Sequence, residues 1–381
     1  MKIKKFITRN RNLINGKKDL RKIISIKKFP VFMGTVKNKI SKDKFFDLNF
    51  FVSKSTGSVQ LNPILPFETI YFKGHNSGKI GKLWSEHHDK FSKFISKFKP
   101  RSVFEIGGGH GILSSKYQKN KKVNWTIIEP NPSPVKGSKA KFIKKFFESK
   151  DLTKYKSDII IHSHVLEHVY DPQKFFKEIV NKMTENQLMI FSVPNMEEMV
   201  KRNYTNVMNF EHTYFLNNQF LKFLFESNNL QILKKQKFKK DHSLFFAIKK
   251  KIFKNKNRKN FHSNEYKINL KKFKRFFENQ RKIVNNLNKY KFNKKPLFIF
   301  GAHIFTQFLL NFGLDKKKIL YILDNDPSKQ NKRLYGSTLY VKSPKILSEY
   351  VNPIVILKAG VYDKEIKKDI KENINNKTIF I

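Results

Sequence analysis

The stretch Val103–Ser114, VFEIGGGHGILS, limits what this chain can fold into more than any other. β-forming residues lead into Glu105, glycines follow at Gly107, Gly108, Gly109 and Gly111, and a helix-compatible apolar run comes next. That order predicts a strand, a tight turn and a helix, the opening unit of a nucleotide-binding α/β sheet. Glycine permits a positive φ and lets a ligand approach the backbone with no Cβ in the way. The spacing is acidic-x-Gly-x-Gly-x-Gly and not the G-x-G-x-x-G dinucleotide fingerprint. A carboxylate before the turn repels a pyrophosphate and suits a ligand with a cationic end, such as S-adenosylmethionine, with its sulfonium and ammonium. A second run, Val123–Ile128, ends in Glu129, where Rossmann-like folds place an acid that accepts both ribose hydroxyls. The expected cofactor-binding set is therefore Gly107, Gly109, Gly111 and Glu129, with Glu105 helping to hold the ammonium end.

Composition narrows the partners. The 381 residues allow two or three domains with sizeable cores. The net charge of +49 comes from seventy lysines and only nine arginines spread along the chain, beside 39 phenylalanines. Nucleic-acid surfaces lean on arginine for bidentate contacts, so this pattern fits a coding bias better than a binding patch, and no specific nucleic-acid partner is expected. With no cysteine, disulfides and thiolate zinc sites are excluded, and no metal site is expected. No apolar run approaches the ~18 residues of a membrane span. The basic N-terminus lacks the apolar core of a secretory signal, so a cytoplasmic protein is expected.

The expected organisation is α/β, in four parts. Residues 1–95 form an N-terminal segment with a mobile basic tail over 1–26 and a hairpin bending at Gly57. Residues 96–248 alternate strands and helices as a doubly wound sheet, with strands at Ser102–Ile106, Val123–Ile128, Asp158–His162, Leu188–Val193 and Leu244–Ile248. Residues 249–295 are a basic connection in which Tyr266, Leu270, Phe273, Phe277, Val284 and Leu287 recur at helical spacing. Residues 296–381 restart the strand–helix alternation as a second Rossmann-like unit, where Gly301 and Asp324 echo the first turn and acid in a structural role.

Ligands of such sheets lie beyond the carboxyl ends of the strands, which places His164 on the same rim as Gly107 and Glu129. His164 either contacts the cofactor or starts a helix. Glu167 and His168 are read as capping and packing residues. Glu211 and His212 follow the fifth-strand region, and a histidine beside a carboxylate can remove a proton near neutral pH. Tyr214 and Tyr71 could hydrogen-bond a substrate oxygen.

In combination these motifs resemble the three-domain, S-adenosylmethionine-dependent sugar C-methyltransferases. EIGGGHG is similar to that family's cofactor turn, HSHVLEHVYDP to its post-strand motif, and FEHTYF (Phe210–Phe215) to its catalytic segment. FGAH and LDNDPSKQNKRLYG resemble its C-terminal domain. The resemblance implies a class I methyltransferase domain and a nucleotide-linked sugar as substrate. It further implies C-methylation through an enolate, with His212, Glu211 and Tyr214 catalytic and His75 and Tyr71 on a segment that closes over the substrate. The remaining readings are an O-methyltransferase of surface-polysaccharide biosynthesis and, behind it, an RNA or protein methyltransferase. Two positions depart from the family pattern. Its N-terminal zinc cysteines are absent, the second pair falling within Val52–Leu61, so hydrophobic packing is expected to hold that segment. Asn209 stands where the family has a tyrosine.

Overall fold

The computed structural model describes residues 6–70, 81–251, 264–290 and 295–381. Its centre is a seven-stranded sheet. From edge to edge the strands are Leu230–Phe238, Ser243–Lys250, Leu188–Pro194, Ile159–Ser163, Ser102–Ile106, Asn124–Ile128 and Lys141–Ile143. The last five run parallel, and the first two are antiparallel additions. Ile159, Ile160 and Ile161 are all buried because a central parallel strand is covered on both faces. This is the Rossmann-like architecture expected from the strand–helix alternation. Its two edge strands escape the sequence reading: Lys141–Ile143 has three residues, and lysines crowd Leu230–Phe238. The carboxyl ends of the parallel strands bring Gly107, Glu129, His164 and Pro194 to one rim.

The N-terminal segment overturns the expectation of a mobile tail over 1–26. Leu20–Pro30 is a strand paired antiparallel with Phe45–Ser53, which also pairs with Val59–Leu61. Ahead of it, Asn12 and Ile14 are buried. The reason is a polar knot that charge patterning hides. Asp19 accepts from Asn12 Nδ2 at 2.9 Å, from Ser53 Oγ at 3.0 Å and from the Ser55 amide at 2.7 Å. Burial pushes this carboxyl up, but the hydrogen bonds from Ser55, Asn12 and Ser53 outweigh it and hold it below its usual range. Thr56 and Ser58 hydroxyls meet at 3.0 Å in the same loop. Hydrogen bonds thus join hydrophobic packing where the resembling family would set cysteines.

The C-terminal unit is a five-stranded parallel sheet in the order Val341–Lys342, Ile319–Leu323, Leu297–Phe300, Ile354–Leu357 and Ile379–Phe380. Asp324 accepts from the Ala302 amide at 2.9 Å and pairs with Lys329 at 2.9 Å, so the acid that echoes Glu129 closes on its own unit. The helix Asn264–Lys289 links the parts. Phe277 packs 5.3 Å from Phe50 of the N-terminal sheet and Phe273 5.0 Å from Phe215, while Val284 and Leu287 enter the C-terminal core.

The N-terminal segment also docks on the C-terminal unit. Thr35–Val36 pairs with Arg333–Leu334, and buried Arg333 makes a bidentate bridge to Asp43, Nη1–Oδ2 2.5 Å and Nη2–Oδ1 2.7 Å. The Gly336 amide donates to the same carboxylate at 2.7 Å. Removing one partner of a buried pair leaves the other charge uncompensated, which costs about 3–5 kcal/mol. Asp43→Ala is therefore expected to lower the stability by about that amount in denaturant titration. A change below about 1 kcal/mol would show that the bridge does not hold the two units.

Candidate active site

The glycine turn forms as its sequence requires. Gly107, Gly109 and Gly111 have φ of 72°, 52° and 68°, the left-handed region that other residues avoid. A Cβ on Gly107 would lie 2.7 Å from Val165 Cγ2, and one on Gly108 would meet the Glu105 carboxyl at 2.8 Å. Glu129, half-buried, faces this turn: its Oε2 accepts from the Gly109 amide at 3.3 Å and its Oε1 from the Asn131 amide at 3.0 Å. Glu105 departs from its expected role. Its carboxyl lies buried beneath the turn and accepts from the Trp125 indole at 2.7 Å, so it supports the loop from below. Burial raises this carboxyl to about 7, against the opposing Trp125 hydrogen bond.

Beside this rim lies a cavity of ≈ 290 Å³. The seven-stranded sheet and the turn after it supply His164, Glu167, His168 and Pro194, the following loop Val207 and His212, and the C-terminal unit Phe305, Ala359 and Tyr362. His212 Nδ1 lies 3.2 Å from the Val207 carbonyl, an acceptor, and 3.4 Å from Asn209 Nδ2, a donor. Asn209 fixes the backbone here: its Oδ1 accepts from the Glu211 and His212 amides, both at 2.8 Å, and its Nδ2 donates to Asn206 O at 3.0 Å. The position that departs from the family pattern thus serves as a loop clamp. Burial lowers the His212 pKa, while Glu167, Glu211 and the Val207 carbonyl oppose it.

Three expectations need correction. Tyr214 is buried and its hydroxyl donates to Leu166 O at 2.5 Å, which turns it away from a substrate and into the loop's frame. Glu167 and His168 are cavity residues and not caps: Glu167 is 1% exposed with Oε1 2.9 Å from His164 Nδ1, and the His168 ring lies 4.9 Å from that of His212. Glu211 Oε2 approaches His168 Nδ1 at 3.7 Å. His164 lines this cavity with φ 53° and Nε2 2.9 Å from Ser243 Oγ, tied to its neighbours on the substrate side of the rim. Tyr71 and His75 lie outside the described residues.

Sequence reasoning also missed a histidine group on the far wall. Trp84 packs 4.9 Å from both His164 and His242 and 5.1 Å from His87. His87 Nε2 meets Ser192 Oγ at 2.9 Å, and His242 Nδ1 meets Ser243 Oγ at 2.6 Å. The ligating atoms of His87, His164 and His242 lie within 4.8 Å of one another, but serine hydroxyls engage a nitrogen of each. The signal was present in H-x-H (His162–His164) and D-H-S (Asp241–Ser243), short patterns that specify nothing until the sheet pairs Ser243 with Pro194 and Ser163 with Ser192.

Residues 78–235 match a family model described as a methyltransferase domain, and residues 233–381 match one described as a C-methyltransferase C-terminal domain. The chain is a methyltransferase. It carries a C-methyltransferase C-terminal domain, and the cavity lies between that domain and the methyltransferase sheet. No curated protein matches the methyltransferase by sequence. Among solved structures it is similar to an O-methyltransferase family protein from Burkholderia thailandensis, at 9% identity and TM-score 0.35, over 45% of this chain and 57% of that one. It is also similar to the magnesium protoporphyrin IX methyltransferase from Synechocystis with bound SAH, at 12% identity and TM-score 0.36, over 46% and 90%. The plantazolicin methyltransferase in complex with SAH matches at 12% identity and TM-score 0.33, over 44% and 84%. No helix among the described residues of the methyltransferase is long and apolar enough to cross a membrane.

The buried Glu105 sets a pH test. Its folded pKa of about 7 exceeds that of an unfolded carboxyl, so the native state binds the extra proton and stability falls as pH rises from about 4.5 toward 7. The loss approaches roughly 3 kcal/mol. Glu105→Gln keeps an acceptor for Trp125 without the charge. Thermal melts of the ligand-free methyltransferase should show the variant more stable than wild type at pH 8 and equal to it near pH 5. Parallel pH profiles for the two proteins would refute the assignment.

Proposed function

We propose that this methyltransferase methylates a carbon next to a ketone on a nucleotide-linked sugar, with His212 as the base. The observation that carries the reading is the place of His212: its imidazole lines the cavity beside Glu167 and His168, on a loop clamped by Asn209. Bound S-adenosylmethionine supplies an electrophilic methyl group on a sulfonium. The residues of the turn fit it. Gly109 has nothing within 4 Å of where a Cβ would stand, which leaves the backbone of the turn open to a ligand, and Glu129 faces the turn with a carboxylate to accept from ribose hydroxyls. Burial keeps His212 neutral and ready to accept a proton. The imidazole takes the α-proton, and the electron pair of the broken C–H bond passes through the enolate into the new C–C bond. The transferred methyl leaves its electron pair on sulfur. The imidazolium then loses its proton to water. Side chains that bound the cavity from both domains exclude water and hold the acceptor in line. An excess of lysine suits a diphosphate-bearing substrate.

Two measurements test the reading. Glu129→Ala should weaken S-adenosylmethionine binding by roughly 1.5–3 kcal/mol in calorimetry, the worth of a charged hydrogen-bond partner. Unchanged affinity would place the cofactor elsewhere. Mass spectrometry of cellular nucleotide-sugars with and without the gene identifies the substrate. On that substrate His212→Ala should cut turnover by roughly 10²–10⁴-fold and leave cofactor affinity intact. In deuterated water the wild type should exchange the substrate's α-hydrogen; methyl transfer without exchange would identify an oxygen acceptor.

A further inference from the structure

The sequence pattern pairs His212 with its neighbour Glu211, but the fold brings a different carboxylate to it. Glu167 sits on the short turn Leu166–His168 after the strand Ile159–Ser163, and its side chain lines the cavity. Its Oε1 lies 2.9 Å from His164 Nδ1, while its Oε2 is buried and has no hydrogen-bond partner among the described residues. An orphaned carboxylate oxygen in a dry site is costly unless a donor comes to it. Ligating atoms of Glu167, His168 and His212 lie within 4.8 Å of one another. Glu211, by contrast, points its Oε2 at His168 Nδ1.

A directed chain of hydrogen bonds holds Glu167 in this state. A carboxylate only accepts, so His164 carries its proton on Nδ1, and its Nε2 accepts from the Ser243 hydroxyl at 2.9 Å. Ser243 Oγ in turn accepts from His242 Nδ1 at 2.6 Å. Every donor along His242, Ser243 and His164 points toward Glu167. Burial pushes the Glu167 carboxyl up, but the charges of the histidines around it, His164 foremost, prevail and draw it down to about 2.

We propose that Glu167, through its unpartnered Oε2, is the carboxylate that stabilises the protonated form of His212, with His164 and Ser243 as positioning residues behind it. The proposal rests on the reading of His212 as the base, and it makes Glu211 the partner of His168. Carbon-acid chemistry is served by this arrangement. The free base stays neutral through burial, and the charge created on it by proton transfer arises beside an anion already in place. Glu167, Glu211, His164 and His168 face His212, while Tyr204, His242 and Tyr362 line the same cavity.

Histidine-selective ¹⁵N NMR titration of the full chain reads the proposal without a substrate. The His212 resonance is assigned by its loss in His212→Ala. An anion at this range shifts a neighbouring pKa by roughly 1–3 units, so Glu167→Gln should lower the His212 midpoint by at least about one unit, tenfold in proton affinity. Glu211→Gln should lower it less and move the His168 midpoint instead. Ser243→Ala, which keeps the fold but frees His164 Nε2, should shift His212 in the same direction as Glu167→Gln and by a smaller amount. A His212 midpoint unmoved in both Glu167→Gln and Ser243→Ala, or moved more by Glu211→Gln, would overturn the proposal. Loss of the His212 base role would show separately, as full activity in His212→Ala with these titration shifts still present.

Discussion

The cavity exists because Arg9 ties together the two loops that build it. Its Nη2 donates to the Tyr170 carbonyl at 2.9 Å, at the end of the post-strand loop, and its Nη1 to the Thr213 carbonyl at 3.1 Å, next to His212. Nη2 also reaches Thr213 Oγ1 at 3.2 Å. All three partners are neutral oxygens, and burial draws the guanidinium down to about 10. A fixed planar fork of donors can serve two loops at once, which an ammonium on a flexible stem cannot do as well. The main chain of the same arm is tied in turn: the Arg9 amide donates to Asn62 Oδ1 at 2.9 Å, and Ile7 pairs with Ile64. The N-terminal arm is thus a structural clamp on the two loops that line the cavity.

Closure of the cavity from the other side follows from contacts of the C-terminal domain. Gly360 has φ 66°, and a Cβ there would lie 3.2 Å from the Tyr204 ring, so the backbone of this turn rests directly on the loop that leads to His212. Tyr204 is fixed in turn by a hydrogen bond to Asp241 at 2.9 Å, next to His242. The C-methyltransferase C-terminal domain and the histidine wall therefore meet at Tyr204, and Tyr362 and Trp84 line the same cavity from the two sides.

Much of this was legible in the sequence, and the exceptions share a cause. The glycine turn, Glu129, the parallel strands and the amphipathic helix Asn264–Lys289 are local patterns, fixed by φ, periodicity and burial of a single element. Arg9 and Asp19 are polar residues whose roles depend on partners far along the chain, Thr213 for Arg9 and Ser53 for Asp19, while Glu167 and His242 are placed by the meeting of distant strands, and no local period marks any of them. A chain rich in lysine made Arg9 look like one more charge of a basic tail, although arginine is rare here and its fork suits buried sites. Glu211 and His212 drew attention by adjacency, yet neighbours in an irregular loop need not face one another. Tyr214 shows the same limit: its motif position is local, but its hydroxyl is spent on Leu166.

The histidine wall gives the last step. Burial holds His88 at about 4 and His242 at about 3, and drives His87 well below its ordinary value. Imidazoles in that state are polar but uncharged near neutral pH. His87 meets the Ser192 hydroxyl and His242 the Ser243 hydroxyl at fixed positions. Were these rings charged, their repulsion would depress proton uptake at the other imidazoles of the cavity. The packing of Trp84 against His87, His164 and His242 is what keeps that wall dry.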